Sequence, residues 1–440
     1  MRLYSTANHQ NQVSFIEAIQ NAFPQDKGLY FPERIPQLPS GFLEDLNHWD
    51  FPEMAFQLAK LWIGDEISAM DLRKICYEAF YFPLPLIPIK PGIQVLELFQ
   101  GPTMAFKDFG ARFMAKTLGH ILQEKGHKTV ILTATSGDTG GAVANGFEGI
   151  PNIEVIILFP LGKVSPLQRR QLTTLGDNIH ALGIHGNFDD CQRLVKEALL
   201  DPEIQASAQF CSANSINIAR LIPQSFYYFY GYSRRAHPAQ ELVFSVPSGN
   251  FGNLTAGLLA QAMGLPIHHF LASTNENAIV PNYLKSGNFV PKASLETLAT
   301  AMDVGNPSNF VRMLEIFSQD LEKMRERING YQVSDEEIIQ TLKSIYKETG
   351  YILDPHTAVG VKGLEIYLEL EKSKGRNLEG IVLGTAHPAK FPEMVEKELD
   401  IKISLPEQLS QLLNRAENYQ SLDPEFPRLK DYILKEVVLG

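Results

Sequence analysis

From about residue 128 onward the chain alternates short β-branched apolar runs with amphipathic stretches, the pattern that parallel strands joined by helical crossovers impose on a sequence. Six strands are predicted on this basis: Thr129–Ala134, 154–159, 178–182, Gln209–Ser212, 241–246 and 380–384. Most are followed by Gly, Ser, Asn or Pro and then by a helical pattern. The run Val155-Ile156-Ile157-Leu158-Phe159 is apolar without alternation, as a strand covered on both faces requires. The expected class is α/β, with two open, mostly parallel lobes. Ligands in such folds collect beyond the carboxyl ends of the strands, so functional residues are expected just after them.

The first 95 residues read differently. Residues 49–62 and 67–81 have helical spacing, and Phe82-Pro83-Leu84-Pro85-Leu86-Ile87-Pro88 breaks it, because proline removes donors and fixes φ. The expected organisation of the 440 residues is an N-terminal helical region over 1–95 and a lysine-bearing segment over 96–127 joining the lobes. A small α/β domain over 128–235 and a large one over 236–440 follow, the tail from Leu405 forming a surface-packed extension.

Charge and cysteine content narrow the partners. With 39 Lys and Arg against 50 Asp and Glu, the net charge of −11 repels phosphate backbones and acidic membranes, so no nucleic-acid partner is expected. Cys76, Cys191 and Cys211 form no C-x-x-C pair, which argues for a reducing cytoplasm. Polar residues Asn8 to Asn11 interrupt any leader-like stretch, and no apolar run approaches the ~18 residues of a membrane span. The adjacent His268 and His269 would point to opposite faces of a strand, and no metal site is expected. Oligomeric state leaves no mark in the sequence.

Five segments can carry chemistry. Lys107 opens a helical stretch between Phe106 and Phe109, where burial and the helix dipole both lower an amine pKa toward the nucleophilic form. The same lysine could equally be a surface residue paired with Asp108. Thr133 to Gly141 (TATSGDTGG) follows a strand and precedes a helix. Its Ser136, Thr139 and glycine N–H groups can surround an anion or simply cap the helix. Ser248 to Asn253 (SGNFGN), also between strand and helix, can form a phosphate nest, and it has neither Walker nor dinucleotide-fingerprint spacing. Ser215, Asn217 and Arg220 fall within about a turn and a half, where Arg220 could fork onto a second anion or face solvent. Thr385 ends a strand in GTAHPAK, where a hydroxyl also serves plain strand-end bonding. The aromatic run Phe226 to Tyr230 reads as helix core.

A lysine between aromatics, a Ser/Thr/Gly turn, a glycine nest and a late strand-end Thr, in that order, resemble the fold-type II pyridoxal-phosphate enzymes, whose fold is that of tryptophan synthase β. More narrowly, KGLYFPERIP, ELFQGPTMAFKDFGARFM, ILTATSGDTG, SANSINIARL, VPSGNFGNLTAGLLA, AMDVGNPSN and LGTAHPAKF resemble the longer form of the threonine synthase family over nearly the full length. The resemblance implies a pyridoxal 5'-phosphate cofactor, with Lys107 as the internal-aldimine lysine and acid/base. It implies that Gly249, Asn250, Phe251, Gly252 and Asn253 hold the cofactor phosphate and Thr385 the pyridine nitrogen. Ser136, Asp138 and Thr139 fall in the substrate-binding turn, with Ser136 and Thr139 on the substrate carboxylate, and Ser215, Asn217 and Arg220 on the substrate phosphate. Asp138 stands where many relatives of this fold carry an Asn that contacts the ring hydroxyl, so that contact stays unassigned. The implied reaction is that of a carbon–oxygen lyase in threonine biosynthesis, O-phospho-L-homoserine and water giving L-threonine and phosphate. A serine/threonine dehydratase on the same fold, or a non-catalytic relative, are the alternatives.

Overall fold

The computed structural model describes residues 1–125, 128–176 and 178–438. Residues 126 and 127, at the end of the expected lysine segment, and 439–440, at the end of the chain, lie outside these. Two sheets organise the chain. The larger has the strand order Ile328–Gln332, His269–Thr274, Glu241–Pro247, Leu378–Gly384, Ile93–Glu97 and Leu86–Lys90. All its pairs are parallel except the last, which is antiparallel. The smaller runs Gln420–Leu422, Ile179–Ile184, Ile153–Pro160, Thr129–Ala134 and Gln209–Ser212, parallel throughout. Thr129–Ala134 and Leu378–Gly384 are buried at every residue, as their apolar stretches Val130-Ile131-Leu132 and Ile381-Val382-Leu383 require.

Helices start where the sequence supplies caps. Asp50 accepts from the Glu53 N–H ahead of Phe51–Ile63, Ser68 accepts from the Asp71 N–H ahead of Ala69–Ala79, and both satisfy N–H groups that a helix start leaves open. Helix Lys107–Lys125 follows an irregular segment at 98–106, and helix Asp138–Phe147 follows Thr129–Ala134 directly. Helix Gly252–Ala262 follows Glu241–Pro247 in the same way, so the two turns of interest lie at strand carboxyl ends.

Three placements differ from the sequence expectation. The N-terminal region is not only helical, since Arg2–Ser5 pairs antiparallel with both Asn8–Ser14 and Tyr30–Pro32. Its edge strand Asn8–Ser14 is polar and largely exposed, so it lacks the apolar signature of a buried strand. Residues 86–97 belong to the large sheet rather than to that region, and Pro88 is tolerated because its strand lies at the sheet edge. The C-terminal tail docks on the smaller sheet, where Gln420–Leu422 pairs with Ile179–Ile184 and Leu429, Ile433 and Val437 pack against Val130, Leu132 and Ile156. Sequence adjacency to the large lobe gave no hint of that packing.

Candidate active site

Lys107 is the first residue of its helix, and the chain around it is fastened to the end of strand Leu378–Gly384. The Phe106 N–H donates to the Thr385 carbonyl at 2.9 Å, and the His387 N–H donates to that of Met104 at 3.1 Å. Ala105 and Ala386 form an antiparallel bridge between the two segments. These contacts place Lys107 and Thr385, 278 positions apart, on neighbouring backbone. Phe109 is fully buried against Phe51, Phe80, Phe82 and Tyr227, and this aromatic packing anchors the helix start.

No carboxylate lies within 4 Å of the Lys107 amine among the described residues. Its neighbour Asp108 is turned inward instead, where it accepts from the Thr103 N–H at 2.9 Å and the Thr103 hydroxyl at 2.6 Å. The pairing of Lys107 with Asp108 does not form. Burial lowers the Lys107 pKa to about 8, Lys390 and Arg220 push the same way, and Asp138 opposes them.

In the turn after Thr129–Ala134, Thr135 does the structural work that the sequence did not assign. Its hydroxyl oxygen accepts from the N–H groups of Gly137 at 2.9 Å and Gly140 at 2.8 Å. Ser136 is thereby left exposed and Thr139 half-buried, and neither hydroxyl has a partner among the described residues. Asp138 is buried and engaged: its Oδ1 accepts from Lys390 Nζ at 2.6 Å and from Gln168 Nε2 at 2.8 Å. Burial by itself would raise this carboxyl, but Lys390 and Lys107 hold it well below the usual carboxylate range. A carboxylate kept ionised repels another, and Asp138, expected in the substrate-binding turn with its own contact unassigned, is here engaged by Lys390 and Gln168.

The segment at 249–253 is built as a cradle of donors. Among the described residues no acceptor faces the N–H groups of Gly249, Asn250, Phe251, Gly252 or Asn253. Phe251 takes φ 61°, a left-handed conformation that turns successive N–H groups to one side. A Cβ on Gly249 would lie 2.9 Å from the Cα of Met302, so the 301–309 segment backs the cradle closely enough to demand glycine. That segment is itself fastened to the cradle, with the Asn309 N–H on the Asn250 carbonyl at 3.2 Å and the Ser308 hydroxyl on Asn250 Oδ1 at 3.2 Å. From the other side, the Tyr227 and Tyr228 hydroxyls donate to Asn253 Oδ1 at 2.6 and 2.9 Å, so the aromatic run is core that also touches the site.

Arg220 is buried, with no carboxylate paired to it among the described residues. One guanidinium N–H donates to the Ala213 carbonyl, while Nε is buried without a partner. Burial lowers its pKa to about 10, and Asp108 opposes the shift. It lies against the lysine helix, since a Cβ on Gly110 would meet the Arg220 carbonyl oxygen at 2.6 Å. Ser215 is half-buried and its hydroxyl is unengaged among the described residues. Asn217 is different: its Nδ2 donates to the carbonyls of Ile19 at 3.0 Å and Ser212 at 3.2 Å, and its Oδ1 caps Ile218–Leu221 through the Ala219 N–H. Asn217, expected beside the substrate phosphate, here braces the short helix that carries Arg220.

Arg312 was not singled out in the sequence. It is fully buried and donates to the carbonyls of Ile216 at 2.6 Å and Tyr30 at 3.0 Å and to Asn309 Oδ1 at 2.7 Å, tying together the Arg220 segment, the cradle wall and the N-terminal region. Lys390, also a buried cation, was quoted only as the end of GTAHPAK. No local pattern marks either residue, because apart from the bond of Arg312 to Asn309 each acts through partners 96 to 287 positions away.

The site offers a cradle of free N–H groups for a phosphate, a recessed amine of lowered pKa for an aldehyde, and a strand-end hydroxyl, a donor set that fits pyridoxal phosphate. With two mostly parallel lobes, it defines a fold-type II pyridoxal-phosphate enzyme. The comparisons agree: residues 88–383 match the family described as pyridoxal-phosphate dependent enzyme, residues 2–80 threonine synthase N terminus, and residues 357–433 threonine synthase, C-terminal. The chain belongs to the threonine synthase family of pyridoxal-phosphate-dependent lyases, enzymes of threonine biosynthesis.

The threonine synthase of Escherichia coli (strain K12) is 42% identical over 435 residues, covering 99% of each chain, and that of Haemophilus influenzae is 44% identical over 436. Among solved structures, threonine synthase from Escherichia coli superposes with a TM-score of 0.91 at 42% identity, covering 99% of each chain. A PLP-bound threonine synthase from Brucella melitensis gives 0.91 at 35%, also covering 99% of each chain. An L-serine ammonia-lyase from Rhizomucor miehei, at 12% identity and a TM-score of 0.54, shares the fold alone. No helix among the described residues is long and apolar enough to cross a membrane.

Proposed function

We propose that the chain converts O-phospho-L-homoserine and water to L-threonine and phosphate. The observation that supports this reading is two separate sets of donors, the N–H groups at 249–253 that meet no acceptor among the described residues and the buried, carboxylate-free Arg220, whose charge acts on Lys107. A cofactor phosphate needs one such set, and only a substrate that brings its own phosphate needs the second. A dehydratase acting on serine or threonine would have no use for it.

On this reading Gly249, Asn250, Phe251, Gly252 and Asn253 hold the cofactor phosphate through backbone N–H groups, and the Thr385 hydroxyl meets the pyridine nitrogen. When bound, pyridoxal phosphate supplies an electron sink for the pair left on a substrate carbon. Ser136 and Thr139, whose hydroxyls have no partner among the described residues, hold the substrate carboxylate, and Asp138 fixes that turn. Arg220 and Ser215 hold the substrate phosphate, with Asn217 and Arg312 bracing the segment behind them.

Lys107 would hold the cofactor and, with its amine free, would carry protons at the substrate carbons. It removes the Cα proton, then helps remove a Cβ proton as the Cγ–O bond breaks and phosphate leaves with the bridging oxygen. A proton returns to Cγ, water adds its oxygen to Cβ, and Cα regains a proton, so one water enters and one phosphate leaves. Charge-assisted donors at Arg220 favour the departing phosphate as its negative charge grows. The reaction belongs to the cytoplasm on the same reading, in keeping with three buried, unpaired cysteines.

Incubation of the loaded protein with O-phospho-L-homoserine, and separately with threonine, tests the proposal. Equal amounts of phosphate and threonine from the first are expected. Formation of 2-oxobutyrate from threonine, with no phosphate released from phosphohomoserine, would instead identify a dehydratase.

A further inference from the structure

Two lysines and one carboxylate meet at the junction of the lobes. Lys390 comes from the segment after Leu378–Gly384 in the large sheet, Asp138 opens the helix after Thr129–Ala134 in the small sheet, and Lys107 opens the helix between them. Lys390 has no exposed surface, and its amine makes both of its contacts across this junction, to Asp138 Oδ1 at 2.6 Å and to the Thr103 carbonyl at 2.9 Å. Thr103 is in turn held by Asp108 and by Gln171 Nε2 at 3.0 Å. Gln168 Nε2 donates to the same Asp138 Oδ1, at 2.8 Å. A cation removed from water persists only with a close counter-charge and good hydrogen bonds, and Lys390 has taken the one carboxylate that also faces Lys107.

The geometry points to Lys390 as a positioning residue of the active site: it occupies Asp138, denies Lys107 an ion pair, and locks the substrate turn of the small lobe to the strand end of the large one. The inference rests on the reading of Lys107 as the cofactor lysine. The charged groups facing Lys107 are Asp138, Lys390 and Arg220, while Asp108 on its own helix is turned toward Thr103. With Lys390 in place, two cations oppose the carboxylate of Asp138, the largest single charge acting on Lys107. Removing the Lys390 charge leaves Asp138 free to pair with Lys107, which stabilises the protonated, unreactive amine.

The test measures the pH dependence of Lys107 acylation by an amine reagent in the full-length, cofactor-free chain, read by peptide mass spectrometry. In the unsubstituted chain Lys107 is expected to react with a midpoint near 8 and Lys390 to stay unreacted across the range. Equal reactivity of Lys390 and Lys107 overturns the proposal without any variant. In Lys390→Gln, which keeps a donor for Thr103 and Asp138 but loses the charge, the Lys107 midpoint should rise by about one pH unit, slowing modification at neutral pH roughly tenfold. Lys390→Arg should restore it. A folded Lys390→Gln chain with an unmoved midpoint would leave Lys390 a structural strut only. Borohydride reduction of the loaded protein separates the two ideas: a cofactor adduct on any lysine but Lys107 defeats the underlying reading, whereas an adduct on Lys107 with an unmoved midpoint defeats the role of Lys390 alone.

Discussion

The two regions proposed to bind phosphate are built on opposite principles. At 249–253 the donors are neutral backbone N–H groups with no acceptor among the described residues, set by a left-handed Phe251 and walled by Met302 and Asn309. At 215–220 the donor is one buried guanidinium, held by the Ala213 carbonyl and backed by a second cation, Arg312, that is satisfied entirely by neutral oxygens. Many rigid neutral donors suit a resident group. A side-chain charge in a low-dielectric setting suits one that arrives charged and leaves more charged. The chain's net charge of −11 acts at neither place, since both are made of a few local donors.

The sharpest way to break this comparison is to remove the Lys107 amine. Lys107→Ala should lower turnover by about 10⁴-fold or more, the scale of losing both covalent attachment and proton transfer, while circular dichroism stays unchanged. Activity within tenfold of the original would refute its role. The same amine gives a pH dependence of known sign. Its pKa is lowered from 10.5 to about 8, so the uncharged form is lost as pH falls through 8. The rate of cofactor capture by the cofactor-free chain should therefore drop roughly tenfold per pH unit below that point. A flat profile from pH 8 to 6 would contradict it.

The two regions should then fail separately. Gly249→Ala forces a Cβ to within 2.9 Å of backbone, at a cost of about 2 kcal/mol, and should weaken cofactor binding roughly thirtyfold in a fluorescence titration. Arg220→Ala should raise the KM for the phosphorylated substrate by a similar factor, from the loss of about 2 kcal/mol of charge-assisted bonding, with cofactor affinity unchanged. Equal effects of both variants on both ligands would erase the distinction. The smallest effect is expected of Tyr227→Phe, which removes one hydroxyl from Asn253: about 1 kcal/mol, a roughly fivefold loss of cofactor affinity, and no change in substrate KM.

The parts legible in the sequence were those whose signal is local. Apolar runs marked the buried strands, and the Gly, Ser and Thr turns marked the chain ends above them. Ser136 and Thr139 could be picked out because their turn is made of adjacent residues. Lys390 and Arg312 could not, since a buried cation is defined by partners such as Asp138 and Tyr30 that only the folded chain brings near. The bond from the Asn217 amide to Ile19, a residue 198 positions away, was out of reach of the sequence for the same reason. The N-terminal sheet escaped because the polar strand Asn8–Ser14 carries no apolar alternation, and the docking of the tail because tertiary packing set it.

The central claim is that phosphate leaves by carbon–oxygen cleavage and that water adds to carbon. Turnover of O-phospho-L-homoserine in ¹⁸O-labelled water tests it most directly. The label is predicted in the threonine hydroxyl, with none in the released phosphate. Label in the phosphate, with homoserine as the other product, would show hydrolysis at phosphorus and contradict the account.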